Sequence, residues 1–457
     1  MRVGEISHWY ADIGLPQQRR APLLGDATAD VVIIGAGFTG LWAAYYLTQA
    51  NPALKVTILE KEFAGFGASG RNGGWLSGGF AWNHDTYAKH SGADAVRRMV
   101  RAMMGTVDEV ITVASAQGID ADIHRCDELI VATNPAQHQR LLAEVETRAR
   151  WGEDGRIHSI DAAQARQRIN IPGTRGAMVV QNVARIQPAK LVRGLAEVVT
   201  RLGVTVHEDS AVTGISPGRV ATARGAVLAP IILRCTEGFT ATLPGHRRDW
   251  LPLNSAQIVT EPLTPEVWTQ IGWTGAEIIG DFDHTYCYCQ RTRDGRITVG
   301  ARGVPYRFGS RLDQDGAPDR VTIRRLSEIL HRHFPAARTA QIDHAWCGVL
   351  GVPRDWCATV GLDRATGIGW AGGYGGVGVS TSNLAGRTLA DLALGRDSDL
   401  TDLPWVNRQP RRWEPEPLRW LALRGMYRLY AAADRAEAAG GPPSQLAALA
   451  NRLTGRG

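Results

Sequence analysis

The chain has no apolar run long enough to cross a bilayer, no repeat at roughly 20–50 residues and no low-complexity tract. These absences exclude a helical membrane protein and a solenoid. Cysteine is sparse, and none of the six forms a CxxC pair. Without a second matched pair zinc is not expected, and a chain of 457 residues needs no disulfides to hold a core. Cys126, Cys235, Cys287, Cys289, Cys347 and Cys357 therefore read as reduced structural residues, and no metal site is expected. The first thirty residues contain no apolar leader segment, so the expected location is cytoplasmic. Blocks of like charge are also missing. The net charge of +6 is spread over scattered arginines, which argues against a nucleic-acid partner and is compatible with an anionic cofactor or a carboxylate substrate. No Ser/His/Asp or Cys/His nucleophilic set stands out; His284 and His344 are lone histidines that fit a base or a structural role.

Glycine, by contrast, is plentiful at 52 residues. The first cluster lies in Asp30-Val31-Val32-Ile33-Ile34-Gly35-Ala36-Gly37-Phe38-Thr39-Gly40-Leu41. It reads as a buried strand, a tight turn and a helix. Gly35 permits the turn, Gly37 lets backbone approach a pyrophosphate, and Gly40 lets helix and strand pack closely. Phe38 and Thr39 open the helix, whose N-terminus favours phosphate. Glu60, followed by Lys61, ends a second apolar run, where an acid accepts ribose hydroxyl hydrogen bonds. The sequence thus predicts a dinucleotide-binding βαβ unit.

A second cluster follows at Ala68-Ser69-Gly70-Arg71-Asn72-Gly73-Gly74 and a third at Gly372 to Thr381, before a helix running to about Leu394. The second is either a flexible surface loop or a ligand-hugging turn; its place directly after the acid favours the ligand. In the third, Gly373, Gly375 and Gly378 match the same glycine spacing, but no apolar strand follows the helix. That helix start is better suited to the electron-rich edge of a flavin. Between the clusters, helical periodicity runs from Ala93 to Gly118, Gln137 to Trp151, Pro188 to Gly203 and Asp319 to Phe334. Alternating segments occupy 126–133 and much of 250–345, with a hairpin at 220–228. We divide the chain into a loose N-terminal arm (1–29), nucleotide-binding segments (30–90, 161–248, 345–400), substrate-domain segments (91–160, 249–344) and a helical tail (401–457).

These motifs, with Thr236-Glu237-Gly238 and Leu384-Ala385-Gly386-Arg387, resemble the FAD-dependent D-amino-acid oxidase superfamily over about residues 25–400. The branch most similar contains γ-glutamylputrescine, glycine and sarcosine oxidases. The resemblance implies an α/β fold: a Rossmann-like FAD-binding domain interrupted by an α+β substrate domain with an antiparallel sheet. It implies oxidation of a carbon–nitrogen bond in a small amine or amino acid, with hydride passing to flavin N5, hydrolysis of the imine, and O2 or another acceptor taking the electrons. It assigns FAD contacts to Gly35, Gly37, Phe38, Thr39, Gly40, Glu60, Lys61, Ala68, Ser69, Arg71, Asn72, Gly73 and Gly74. Val212, Thr236, Glu237, Gly238, Gly375, Gly376, Val377, Gly378, Val379 and Ser380 complete the set. Two departures matter. The cysteine that anchors flavin in sarcosine-type enzymes has only a poorly aligned counterpart in Cys347, so FAD is expected to be non-covalent. The lysine that promotes oxygen reactivity there is replaced by Thr298.

Arg291, Arg302 and Tyr306 are the expected substrate contacts, because an arginine facing an aromatic pocket clamps carboxylates bidentately; each arginine alternatively lies at the surface. The tail from Trp413 to Ala433 has a basic amphipathic pattern, which fits an anionic membrane or, preferably, packing on the body. The rival enzyme reading is an FAD-dependent hydroxy-acid dehydrogenase that reduces a quinone.

Overall fold

The computed structural model describes residues 1–301, 306–312 and 315–454. A six-stranded sheet is centred on strand Val31–Ile34, flanked by Val56–Leu59 and Ile231–Arg234. Thr205–His207 closes one edge, while Ile368–Gly372 and Thr359–Asp363 close the other. Every neighbour pair is parallel except the last two strands. Val31 to Ile34 are buried on both faces, as parallel strands covered by helices must be. Helices Phe38–Ala50 and Gly378–Leu394 pack together on this sheet. Their contact is tight: a Cβ at Gly386 would sit 2.5 Å from the Trp42 Cβ.

A ten-stranded sheet stands against the first. Its strands Leu251–Thr260 and Ile342–Val352 pair antiparallel along nearly their whole length. Ile297–Ala301, Cys287–Arg291, Ile278–Asp281, His124–Ala132, Gly176–Arg185 and Trp75–Leu76 continue it to the far edge. Alternation divides these strands between two faces. Cys287, Cys289, Ile297 and Val299 join an apolar cluster with Ile323, Leu326 and Leu330 of helix Arg320–His333. Tyr288, Gln257 and Ser255 point the other way, toward the nucleotide unit. A four-stranded sheet carries the expected hairpin, Arg219–Thr222 with Gly225–Leu228.

Three expectations change. Strand Gly176–Arg185, expected in the second nucleotide segment, instead pairs with His124–Ala132 in the large sheet. The N-terminal arm is not loose. Arg2 and Val3 extend the large sheet beside His344 and Ala345, and the Trp9 and Tyr10 side chains are buried. Ser7 Oγ donates to Gly70 O at 2.7 Å and Trp9 Nε1 to Asn72 O at 2.7 Å. In the tail, helix Leu418–Ala438 packs Leu423, Met426, Tyr427 and Tyr430 onto Leu251, Leu253 and Val352. Arg419, one of the arginines in that basic pattern, is buried and bonds Glu416 and Ser310. No helix among the described residues is long and apolar enough to cross a membrane.

Candidate active site

The strand Val31–Ile34 delivers the chain into the first glycine turn. Gly35 has φ +103°, and a Cβ there would lie 2.8 Å from Cys235 O. Gly40 sits over the same turn, where a Cβ would come 2.1 Å from Gly35 O, so it serves helix–strand packing. Glu60, at the end of strand Val56–Leu59, accepts the Ala36 N–H at 2.8 Å and the Glu62 N–H at 2.9 Å. Burial pushes its carboxyl above the ordinary value, and those two N–H bonds oppose the shift. Ser69 Oγ accepts the Phe38 N–H at 2.8 Å, joining the second cluster to the first.

The second cluster is held from several sides. Arg71 is buried, donates from Nε to Phe66 O at 2.6 Å and lies 4.3 Å above the Phe66 ring. Burial lowers its guanidinium to about 10. Its own carbonyl accepts from Gln257 Nε2 at 2.7 Å and Trp346 Nε1 at 2.9 Å. Asn72 braces the turn by donating to Ser69 O and accepting from the Gly74 N–H. The third cluster reaches both others. Tyr374 Oη lies 2.8 Å from Thr39 Oγ1 on the first helix. Glu237 accepts the N–H groups of Gly351, Gly373 (2.9 Å) and Tyr374 (3.2 Å). Burial pushes this carboxyl up to about 7 against those bonds.

One continuous cavity of about 870 Å³ joins the three turns. Gly35, Gly37, Phe38, Thr39, Glu60 and Lys61 line one end; Ala68, Ser69, Arg71, Asn72 and Gly73 follow. Val212, the segment Thr236-Glu237-Gly238 and the turn from Gly375 to Val379 complete that part of its wall. Gly40, Gly74 and Ser380 are not in the wall: Gly40 packs beneath it, Gly74 packs against Ile186 O and Gln290, and Ser380 Oγ donates to Ser77 O at 2.5 Å.

The family described as FAD dependent oxidoreductase matches residues 30–392. The chain belongs to this family. Over 375 residues it is 31% identical to γ-glutamylputrescine oxidoreductase of Escherichia coli, covering 80% of this chain and 84% of that protein. Over 405 residues it is 28% identical to the probable oxidoreductase OrdL of Haemophilus influenzae, covering 87% and 90%. Among solved structures it is similar to glycine oxidase from Geobacillus kaustophilus (TM-score 0.69, 19% identity, 81% of this chain and 96% of that one). It is also similar to L-proline dehydrogenase from P. horikoshii (TM-score 0.69, 18% identity, 84% and 98%). The likeness to these two is one of fold.

The cavity of this FAD-dependent oxidoreductase fits its cofactor. Its wall is backbone-rich where a diphosphate needs N–H donors, and neither flanking helix has its first turn capped by its own N-cap side chain. Gly375 and Gly376 adopt φ +64° and +123°, which keeps Cβ atoms out of the turn. Cys347 packs in the apolar cluster on the far face of the large sheet and is absent from the cavity wall.

Of the expected substrate contacts, Arg291 and Tyr306 are not in the cavity wall. Arg291 shares a strand face with Cys287 and Cys289, so it points away from the cavity. There it lies 4.1 Å over the Trp268 ring and donates to Trp273 O at 2.6 Å. Tyr306 is buried under the tail, bonded to Glu416. Thr298 is buried with its hydroxyl on Gln290 O and does not line the cavity. Arg302 lies outside the described residues. His344 bonds Gly4 O behind the wall, whereas His284 lines the cavity and stacks on Tyr430. The rest of the cavity wall includes Glu128, Arg148, His84, Trp82, Trp151 and Tyr288. Glu128 had one sequence signal, an acid directly before the apolar run Leu129-Ile130-Val131-Ala132 in an expected strand. Tyr288 had the alternation of its strand; Arg148, His84, Trp82 and Trp151 had none.

Proposed function

We propose that this protein oxidises the carbon–nitrogen bond of a small amine or amino acid. The reading rests on one observation: the glycine turns and an aromatic, charged chamber share a single cavity. The 31% identity to a γ-glutamylputrescine oxidoreductase supports the substrate class. FAD, when bound, accepts a hydride at N5 from the carbon next to the substrate nitrogen. Glu60 would hold the ribose hydroxyls, and the turn at Gly35 and Gly37, with Ser69, would meet the diphosphate. The turn from Gly375 to Val379 presents N–H groups to the pyrimidine edge, where negative charge grows on reduction. Glu237 fixes that turn by binding its N–H groups. Trp82, Trp151 and Tyr288 wall the chamber and keep water from the reacting carbon; the imine hydrolyses after release.

The test is anaerobic bleaching of the flavin by n-butylamine, 1,4-diaminobutane, glycine, sarcosine and L-proline, then admission of air. Bleaching by an amine is the expected result, and rapid return of colour in air identifies O2 as acceptor. Bleaching by lactate or malate alone refutes the reading and favours a hydroxy-acid dehydrogenase.

A further inference from the structure

Glu128 lies in the middle of strand His124–Ala132 and is only 7% exposed. It shares its strand face with Ile130, which is paired with Met178 of the neighbouring strand, and all three line the cavity. Among the described residues its hydrogen-bond donor is Ser77 Oγ, at 2.7 Å. The Ser77 carbonyl accepts from Ser380 Oγ in the first turn of helix Gly378–Leu394. That chain of contacts ties Glu128 to the start of helix Gly378–Leu394, beside the third glycine turn.

The cation nearest in its field, Arg148, is engaged by other acids. Arg148 Nε donates to Glu144 at 2.6 Å, and Nη1 lies 3.7 Å from Glu153. His84, stacked between Phe80 (4.4 Å) and Trp151 (5.0 Å), is lowered to about 4 by burial and by Arg148 and is neutral at pH 7. Among the described residues Glu128 is thus a buried acid without a close ion partner, set in a cavity walled by Trp75, Phe80, Trp82 and Tyr288. A buried carboxylate of this kind demands a cation, and aromatic faces favour an alkylammonium. Burial raises the Glu128 carboxyl, with Arg148 and Ser77 pulling the other way.

We propose that Glu128 binds the substrate nitrogen as an ammonium ion and then accepts its proton, which rests on the amine-oxidation reading above. The N–H bond breaks, an O–H bond forms on the Glu128 carboxylate, and the nitrogen recovers its lone pair. The carbon–hydrogen bond then breaks with its electron pair leaving as hydride to FAD, which is reduced, while carbon and nitrogen form the iminium. The proton on Glu128 returns to solvent after product leaves.

The experiment compares wild-type holoenzyme with E128Q and E128D by anaerobic stopped-flow reduction from pH 6 to 10, using whichever of the five amines bleaches wild type. Glutamine keeps the Ser77 bond and removes the charge. E128Q should reduce flavin about 100-fold more slowly at pH 7. Its rate should climb about tenfold per pH unit as free amine accumulates in solution, a rise absent from wild type; E128D should recover part of the loss. The ionisable groups that share the field of Glu128 are Arg148, Glu144 and Glu153, and all three are retained in each variant. An unchanged E128Q profile overturns the proposal, as does a loss that is the same at every pH. A separate arm titrates n-butylamine and 1-butanol against flavin absorbance. Wild type should prefer the ammonium and E128Q should lose that preference; equal preference in both proteins overturns the ammonium site even if no amine bleaches the flavin.

Discussion

At the nucleotide end of the cavity, the groups facing ligand space are largely main-chain N–H and glycine Cα atoms. At the other end they are side chains brought from strands and helices far apart in sequence: Glu128, Arg148, Trp82 and Tyr288. The first end is shaped by what is missing, since an added Cβ would collide with backbone at Gly35 and Gly238. The second is shaped by charge and aromatic surface. Damage should therefore differ in kind, with steric changes at the nucleotide end emptying the protein of cofactor. Charge changes at the substrate end should leave the yellow colour and alter the reaction, as described for E128Q.

The largest expected effect is G40V. The Cβ at this position would lie 2.1 Å from Gly35 O, and backbone cannot yield as a flexible side chain does. The purified variant should lack flavin absorbance; a stoichiometrically yellow G40V would break the contrast.

Next comes the support behind the substrate wall. His333 Nε2 lies 3.3 Å from an Asp281 oxygen, and Asp281 belongs to the cavity lining. Burial opposes the charge on His333, but Cys287 and Asp281 push it up to about 10 from the ordinary 6.5. The pair's contribution is complete below pH 6.5 and is lost as pH rises through 10. H333Q should cost about 3–5 kcal/mol near neutrality, with a smaller deficit at pH 10. Thermal melts across pH measure this, and a constant deficit would count against the ion pair.

The smallest effect is expected at Arg291. Because it points away from the cavity, R291M should leave the rate of flavin reduction within about twofold while losing about 1 kcal/mol of stability from the Trp273 bond. A large fall in flavin reduction would return this arginine to the substrate site.

The contrast also accounts for what was readable in advance. The turn at Gly35, the acid at Glu60 and the glycines before helix Gly378–Leu394 are contiguous signals, and each reports its own backbone geometry. Their convergence on one cavity could be expected from the resemblance they carry. Strand facing is a different problem. Gln290 and Arg291 are adjacent, and one step of alternation sends Gln290 toward the nucleotide unit and Arg291 into the opposite cluster. Asp127 and Glu128 pose the same ambiguity: Asp127 pairs with Arg168, and Glu128 enters the cavity. Tyr306 was misplaced because its partner, Glu416, lies 110 positions later, in a tail whose docking no local pattern announces. The arm was misread because Trp9 and Tyr10 sit in a helix of only six residues, too short to show a period.

That arm has a mechanical consequence. Its hydroxyl and indole clasp the carbonyls of Gly70 and Asn72 from behind, while its first strand is zipped to the edge beside His344. Loosening the second glycine turn enough to let a large prosthetic group escape requires unclasping a segment some sixty positions upstream. Retention of the flavin is thus governed by how firmly the beginning of the chain is latched, as well as by the contacts the flavin itself makes.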